Sequence, residues 1–215
     1  MKAYVFYTNP IVDCVELLEQ SCEEIEDLEI IRVLGDVTLT SDLAGATHSQ
    51  DYMKLMLSRW QKLPGIISNN MGTNILFLDA DIVFNKYKKD FIKNIKLLLE
   101  DNDLVTQYDT NSGMSSNINM GFLGIKCSEK NLNMFTRFIA IISSIKRPNT
   151  GYPQIEFNDY LKYYNKKQPT KFKVLPQDYG YLTTNCYFYH AVNCGGNQAK
   201  MNAMKQALDI FQQNK

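Results

Sequence analysis

The stretch TNILFLDADIVF, residues 73–84, decides how the rest of the chain is read. Four consecutive apolar residues, Ile75 to Leu78, run into Asp79-Ala80-Asp81, and Ile82, Val83 and Phe84 follow. A short apolar run of this kind reads as a buried strand. Side chains two apart on a strand share a face, so a strand continuing through Asp81 would set the two carboxylates side by side. Taking an unpaired carboxylate out of water costs several kcal/mol, and two close ones repel unless a cation or a shared proton lies between them. Carboxylate oxygens suit hard divalent ions such as Mg²⁺ or Mn²⁺, which in turn hold phosphate. The same two acids would also be at ease on a solvated turn. The apolar flanks on both sides favour burial with a partner.

Working outward, KAYVFYT (2–8) and LEIIRVL (28–34) read as strands, with IVDCVELLEQ as a helix after Pro10. Between Gln50 and Leu63, Met53, Met56, Leu57 and Trp60 fall at the spacing of one helix face. Downstream come the helix DFIKNIKLLLE and the strands LVTQY and MGFLGIK. A helix over 129–146 follows, with Leu132, Phe135, Ile139, Ile142 and Ile145 in register. The helix IEFNDYLKYY, the strands FKVL and CYFYHA, and an amphipathic helix from about Lys200 to Phe211 complete the series. Strands alternating with helices predict an α/β fold with a mostly parallel twisted sheet flanked by helices. A length of 215 residues without internal repeats predicts a single domain. The polar loops SDLAGATHSQ and DTNSGMSSNIN fall where such sheets meet ligands.

The 23 basic residues equal the 23 acidic ones, which argues against the broad basic face of a nucleic-acid binder. No apolar run approaches the ~20 residues of a membrane span. MKAYVFYTNP is too short for a signal peptide and serves better as the first strand. Cys14, Cys22, Cys127, Cys186 and Cys194 are scattered and form no C-x-x-C, which points to reduced thiols. A soluble, cytoplasmic chain is expected, although one whose anchor had been removed would read the same way.

Two enzyme classes use a strand ending in Asp-x-Asp. In haloacid-dehalogenase-type phosphatases the first Asp of D-x-D-x-[TV] is the nucleophile, and DADIV (79–83) matches that pattern. That motif normally sits on the first strand, however, and here two strand candidates precede it. The second class is the glycosyltransferases of the GT-A fold. RWQKLPGIISNNMGTNILFLDADIVF (59–84) resembles their nucleotide-diphospho-sugar transferase group, including family 77-like and family 8-like members. The resemblance implies that Asp79 and Asp81 hold a metal on the donor diphosphate. It also implies that Lys62 reaches nucleotide or phosphate, with Arg59 and Lys54 nearby on the same helix.

Further motifs follow in the family's order. NINMGFLGIK (117–126) is similar to its N-x-G-F strand, so Asn119, Gly121 and Phe122 would line the donor site. A strand glycine also marks a bulge. PQIEFNDYL (153–161) resembles the family's DQxxxN element, which puts Gln154 near the donor sugar and matches Asn158. Pro153 stands where the aspartate usually is, leaving Glu156 or Asp159 as substitutes. YFYHAVNCGGNQAK (187–200) offers His190 as third metal ligand and Gly195, Gly196 and Lys200 for the diphosphate. Imidazole suits Mn²⁺ better than Mg²⁺, and glycines bare backbone N–H groups to phosphate. By the same likeness Thr8 would meet nucleobase or ribose, Asp109 would face acceptor or transferred sugar, and the loop holding His48 would approach the substrate. A rival grouping is a zinc site from Cys186, His190 and Cys194, for which a fourth ligand is not evident.

The resemblance therefore implies a metal-dependent glycosyltransferase that moves a sugar from a nucleotide diphosphate, most naturally UDP, to an acceptor hydroxyl with retention. Mn²⁺ or Mg²⁺ would sit on Asp79, Asp81 and His190. Gln154, Asp109 and Glu156 would serve catalysis, and a base such as Asp109 or Glu156 would imply inversion instead. Residues 1–81 would form the nucleotide-binding half and 82–215 the acceptor and donor-sugar half. The acceptor would be a glycan, a glycoprotein or a small molecule. A Mg²⁺-dependent phosphatase using Asp79, or a non-catalytic nucleotide-sugar-binding module, are the alternatives.

Overall fold

A computed structural model describes residues 1–36, 50–108, 118–144, 153–176, 182, 185–192 and 194–213. Strands β1 (Lys2–Tyr7), β2 (Glu29–Leu34) and β3 (Asn74–Asp79) pair in parallel, with β1 in the middle. Beyond β3 lie β6 (Ile118–Lys126), β5 (Leu104–Tyr108) and β7 (Phe172–Val174), giving the order β2-β1-β3-β6-β5-β7. β6 is antiparallel to both neighbours and β7 is parallel to β5, so five of the six strands share one direction. The expected mostly parallel sheet is there, with one reversed strand beside the Asp-x-Asp strand. A separate ribbon pairs β4 (Ile82–Phe84) antiparallel with β8 (Phe188–His190).

Six helices flank the sheet among the described residues: α1 (Val12–Cys22), α2 (Gln50–Ser68), α3 (Phe91–Asp101), α4 (Glu129–Ser144), α5 (Pro153–Lys167) and α6 (Asn197–Gln213). Pro10 lies in a short 3₁₀ turn, Asn9–Ile11, leading into α1. Its fixed φ suits the first helical positions.

β3 shows why the opening stretch reads as continuously apolar. Leu76 and Leu78 pack with α1, α3 and α6 on one face, while Ile75 and Phe77 pack with α2, α4 and α5 on the other. A strand covered on both faces has no polar side. The same alternation places Asp79 on the α2 face, one step beyond Phe77. The stretch is not one strand, however: the chain turns at Ala80-Asp81 and resumes as β4 in the second sheet.

The α2 face is built on Trp60, the sole tryptophan of the chain. Its ring lies 5.8 Å from Phe77, 6.4 Å from Phe135, 6.1 Å from Phe138 and 6.1 Å from Phe157. α2 continues past the expected end at Leu63, through Pro64 to Ser68. Proline inside a helix removes one backbone bond, but Leu63 and Ile67 on either side of it are fully buried in this cluster and hold the turn. Trp60→Ala is expected to cost about 3–5 kcal/mol, read as a lowered urea midpoint by far-ultraviolet circular dichroism.

No helix among the described residues is long and apolar enough to cross a membrane.

Candidate active site

Asp79 ends β3 beside Arg59, which is held by the packing of α2. The Arg59 guanidinium lies over Trp60 at 4.8 Å and over Phe77 at 4.5 Å, and its residue is 2% exposed. Its terminal nitrogen meets Asp79 Oδ1 at 3.0 Å and donates to the Met120 carbonyl at 3.0 Å. A buried guanidinium needs a carboxylate partner, so Asp79 and Arg59 fix one another. Lys62, three residues further along α2, pairs with Asp36 at 2.8 Å instead.

Asp81 is placed by the turn and by the ribbon. Its carbonyl accepts from the Ala191 N–H at 2.9 Å, and Ile82 stands opposite His190 in the β4–β8 ladder. This register brings the His190 Nε2 to 3.2 Å from Asp81 Oδ1 and 3.8 Å from Asp79 Oδ2. On its other side, His190 Nδ1 donates to Gln107 Oε1 at 2.9 Å, from β5. Nε2 is then the ring nitrogen left to face Asp81.

Lys200, on the first turns of α6, donates to the other Asp81 oxygen, Oδ2. Burial alone would push the Asp81 carboxyl up. The Lys200 ammonium and the His190 ring outweigh burial and hold it well below the usual carboxylate range.

Space for the cluster comes from β6. Between β5 and β6 the register jumps: Thr106 faces Leu123, but Gln107 faces Asn119, which leaves Met120, Gly121 and Phe122 bulged out. A bulge strands backbone groups that must find other partners. Gln154 Oε1 accepts from the Met120 N–H at 3.0 Å, Arg59 donates to the Met120 carbonyl, and Asn119 Oδ1 accepts from the Gly121 N–H at 2.8 Å. At the strand entrance, Asn158 bonds both backbone groups of Ile118, at 2.8 and 3.1 Å. Gly121 faces the acids and the histidine: a Cβ there would lie 2.2 Å from His190 Cε1 and 2.6 Å from Asp79 Oδ2.

Among the described residues, Asp79, Asp81 and His190 are the one group of three or more metal-ligating side chains, with ligand atoms all within 4.8 Å of one another. Their donor set, two carboxylates and an oriented imidazole, fits a divalent cation. The second-nitrogen bond from His190 to Gln107 is the support that metal-ligating histidines use.

The nucleotide-diphospho-sugar transferase family matches the chain over residues 18–204. The chain belongs to that family. Three solved glycosyltransferase structures are similar in fold. One is involved in the glycosylation of the major capsid of PBCV-1; it is 16% identical over 95% of this chain and 98% of that one, with a TM-score of 0.64. GlyE of Streptococcus pneumoniae TIGR4 is 12% identical over 99% of this chain and 62% of that one, with a TM-score of 0.59. The galactosyltransferase LgtC, in complex with donor and acceptor sugar analogs, is 10% identical over 99% of this chain and 96% of that one, with a TM-score of 0.61. No curated protein matches in sequence. The fold is of the GT-A type, and the chain is a glycosyltransferase. The phosphatase reading of DADIV and that of a non-catalytic module give way to this family.

The remaining residues of the transferase are spread around this cluster. Gln154 and Asn158 face the β6 backbone from α5, with Glu156 half-buried in the same first turn. Asp159 is exposed and lies 3.4 Å from Lys162. Thr8 is buried just past the end of β1, and its hydroxyl has no hydrogen-bond partner among the described residues. Gly195 and Gly196 precede α6; a Cβ on Gly195 would meet nothing, and Gly196 has φ 112, a left-handed value suited to glycine. Asp109 and His48 lie outside the described residues.

Cys186 and Cys194 join no group of three ligands, so no zinc site gathers around them among the described residues. None of the five cysteines is in a disulfide. Burial pushes the Cys14 thiol up to about 11 and the Cys22 and Cys127 thiols up to about 12. Cys194 alone is not fully buried. An Ellman titration of the native protein is therefore expected to show one readily reacting thiol, lost in Cys194→Ser, and all five after unfolding.

Sequence reading missed Gln107, and it offered a bulge at the strand glycine only as an alternative, without the Arg59, Asn119 and Gln154 bonds that sustain it. A signal for Gln107 was nonetheless in the sequence. A glutamine in the middle of the buried strand LVTQY is a polar side chain that needs a partner.

Proposed function

We propose that this transferase moves a sugar from UDP to an acceptor hydroxyl with retention, using Mn²⁺ held by Asp79, Asp81 and His190. The observation that carries the reading is the convergence of these three side chains, with the imidazole turned toward the acids by Gln107. When bound, the cation neutralises charge that develops on the leaving diphosphate.

The chain's own residues do the rest. Arg59 holds Asp79 in place, Gln107 turns Nε2 of His190 toward the acids, and Gly121 leaves the room that a side chain would fill. Lys200 and the N-terminal end of α6, which follows Gly195 and Gly196, meet the diphosphate. Gln154 and Asn119 shape the bulge against the donor sugar. Thr8 and Lys62 serve the nucleoside end, where the unpartnered Thr8 hydroxyl supports such a contact. Asp109 and Glu156 are assigned to the acceptor side by the family likeness, and either would act as base if the course were inverting. The acceptor is a glycan, a glycoprotein or a small molecule. One domain is the reading supported by two apolar clusters on the two faces of one sheet. A cytoplasmic location is supported by five cysteines that form no disulfide.

The test is a panel of nucleotide sugars with Mn²⁺, scoring release of UDP or GDP, with the anomeric configuration of the product followed by NMR. Release from a UDP-sugar that depends on Mn²⁺ supports the reading. An intact protein that neither binds nor cleaves any nucleotide sugar would refute it.

A further inference from the structure

Each acid of the cluster has a cationic partner before any ion arrives. Asp79 is matched by Arg59 at 3.0 Å and Asp81 by Lys200, while His190 is tied by its Nδ1 to Gln107. The two cations differ in kind. Arg59 is 2% exposed, clamped between Trp60 and Phe77 and bonded to the Met120 carbonyl, so it stays with Asp79. Lys200 has a side chain 33% exposed, on a long flexible stem at the start of α6, against an Asp81 side chain that is 9% exposed. A fixed countercharge and a movable one thus stand on the two ligand carboxylates.

We propose, resting on the cation site argued above, that Lys200 is a resident placeholder: through Oδ2 it neutralises the Asp81 carboxylate until a divalent cation binds that carboxylate, and then turns to the donor diphosphate. A doubly charged ion entering a balanced, largely buried site leaves a net positive charge that only an anion relieves. The chain by itself therefore holds the ion weakly, and the diphosphate strengthens it by supplying negative charge and a new partner for the displaced ammonium. By linkage, the ion strengthens nucleotide binding by the same factor. Lys200 is the side chain that makes the two ligands arrive together.

The experiment measures Mn²⁺ binding by the loss of the free-ion EPR signal, with and without UDP, in the parent protein, Lys200→Met and Lys200→Arg. Circular dichroism confirms that each variant is folded. Removing the placeholder charge is expected to tighten binding of Mn²⁺ alone by about tenfold or more, since a positive charge touching the ligand carboxylate is gone. The gain on adding UDP shrinks by at least the same factor. Lys200→Arg keeps the charge and retains the weak ion binding and the large UDP gain of the parent. Lys200→Met binding Mn²⁺ alone no more tightly than the parent overturns the proposal, even if UDP still promotes binding in both. A parent protein that takes up no Mn²⁺ even with UDP instead removes the cation site itself, and with it this inference.

Discussion

Asp81→Ala is expected to lower kcat/KM for sugar transfer by about three orders of magnitude or more, the scale of several kcal/mol of Lewis-acid stabilisation. The substitution removes the most buried carboxylate of the cluster, the only one that meets both His190 and Lys200. Stability should change less than activity. Breaking a fully buried ion pair costs about 3–5 kcal/mol, but the Lys200 side chain is a third exposed and swings into water, so a smaller loss is expected. The decisive measurement is the rise in Tm on adding Mn²⁺ with UDP: clear in the parent, nearly absent in Asp81→Ala. Equal rises in both would mean that Asp81 binds no cation. The sign of the pH dependence follows from the depressed native value of Asp81. Its contribution is fully present above the ordinary carboxylate range and is lost only as pH falls through the lower native value. Mild acidification to about pH 5 therefore leaves this carboxylate ionised.

Gly121→Ala should do comparable damage with a single methyl group. The new Cβ would lie 2.2 Å from His190 Cε1, 2.8 Å from its Nε2 and 2.6 Å from Asp79 Oδ2. Neither neighbour is the loose end of a flexible chain: His190 is bonded to Gln107 and Asp79 to Arg59. Relief must come from turning the imidazole away or from reopening the bulge, and both take a ligand atom off the site. Overpacking of this kind costs about 1–3 kcal/mol, and a loss of at least about 10²-fold in kcat/KM is expected from the misplacement. Gly124→Ala is the control on the same strand. There a Cβ would meet Val105 at 3.3 Å and Ile95 at 3.4 Å, away from the acids. It should cost some stability and keep the Tm rise with Mn²⁺ and UDP. Loss of that rise in both variants, or in neither, would mean that Gly121 has no special relation to the cluster.

Much of the architecture was legible because its signals are local. The run Ile75–Leu78 lies on a strand buried from both sides, and the spacing of Met53, Met56, Leu57 and Trp60 falls on α2. His190 could be found because it ends a short apolar strand, and Asp79 and Asp81 because acids in apolar company need partners. What escaped were relations between distant segments. That β6 runs against its neighbours is not written in MGFLGIK, whose side-chain alternation is the same in either direction. The choice of Arg59 over Lys62 for Asp79 depends on which face of α2 meets Phe77, and both cations read alike in the sequence. Asn119 and Gln154 matched a family pattern, yet in the fold both bond backbone groups of the bulge, which no spacing rule anticipates.

The β4–β8 ribbon has a consequence for how the protein is made. His190 follows Asp81 by 190 − 81 = 109 residues, which at about 5–20 residues per second is roughly 5–20 s of synthesis. Through that interval Ile82, Val83 and Phe84 have no β8 to pair with, and Asp81 has neither His190 nor Lys200. The newborn first half is therefore a sticky, half-finished sheet edge that a chaperone has reason to hold. Nascent chains stalled before residue 188 should remain protease-sensitive around residues 80–84, and protection should appear only once α6 has left the ribosome.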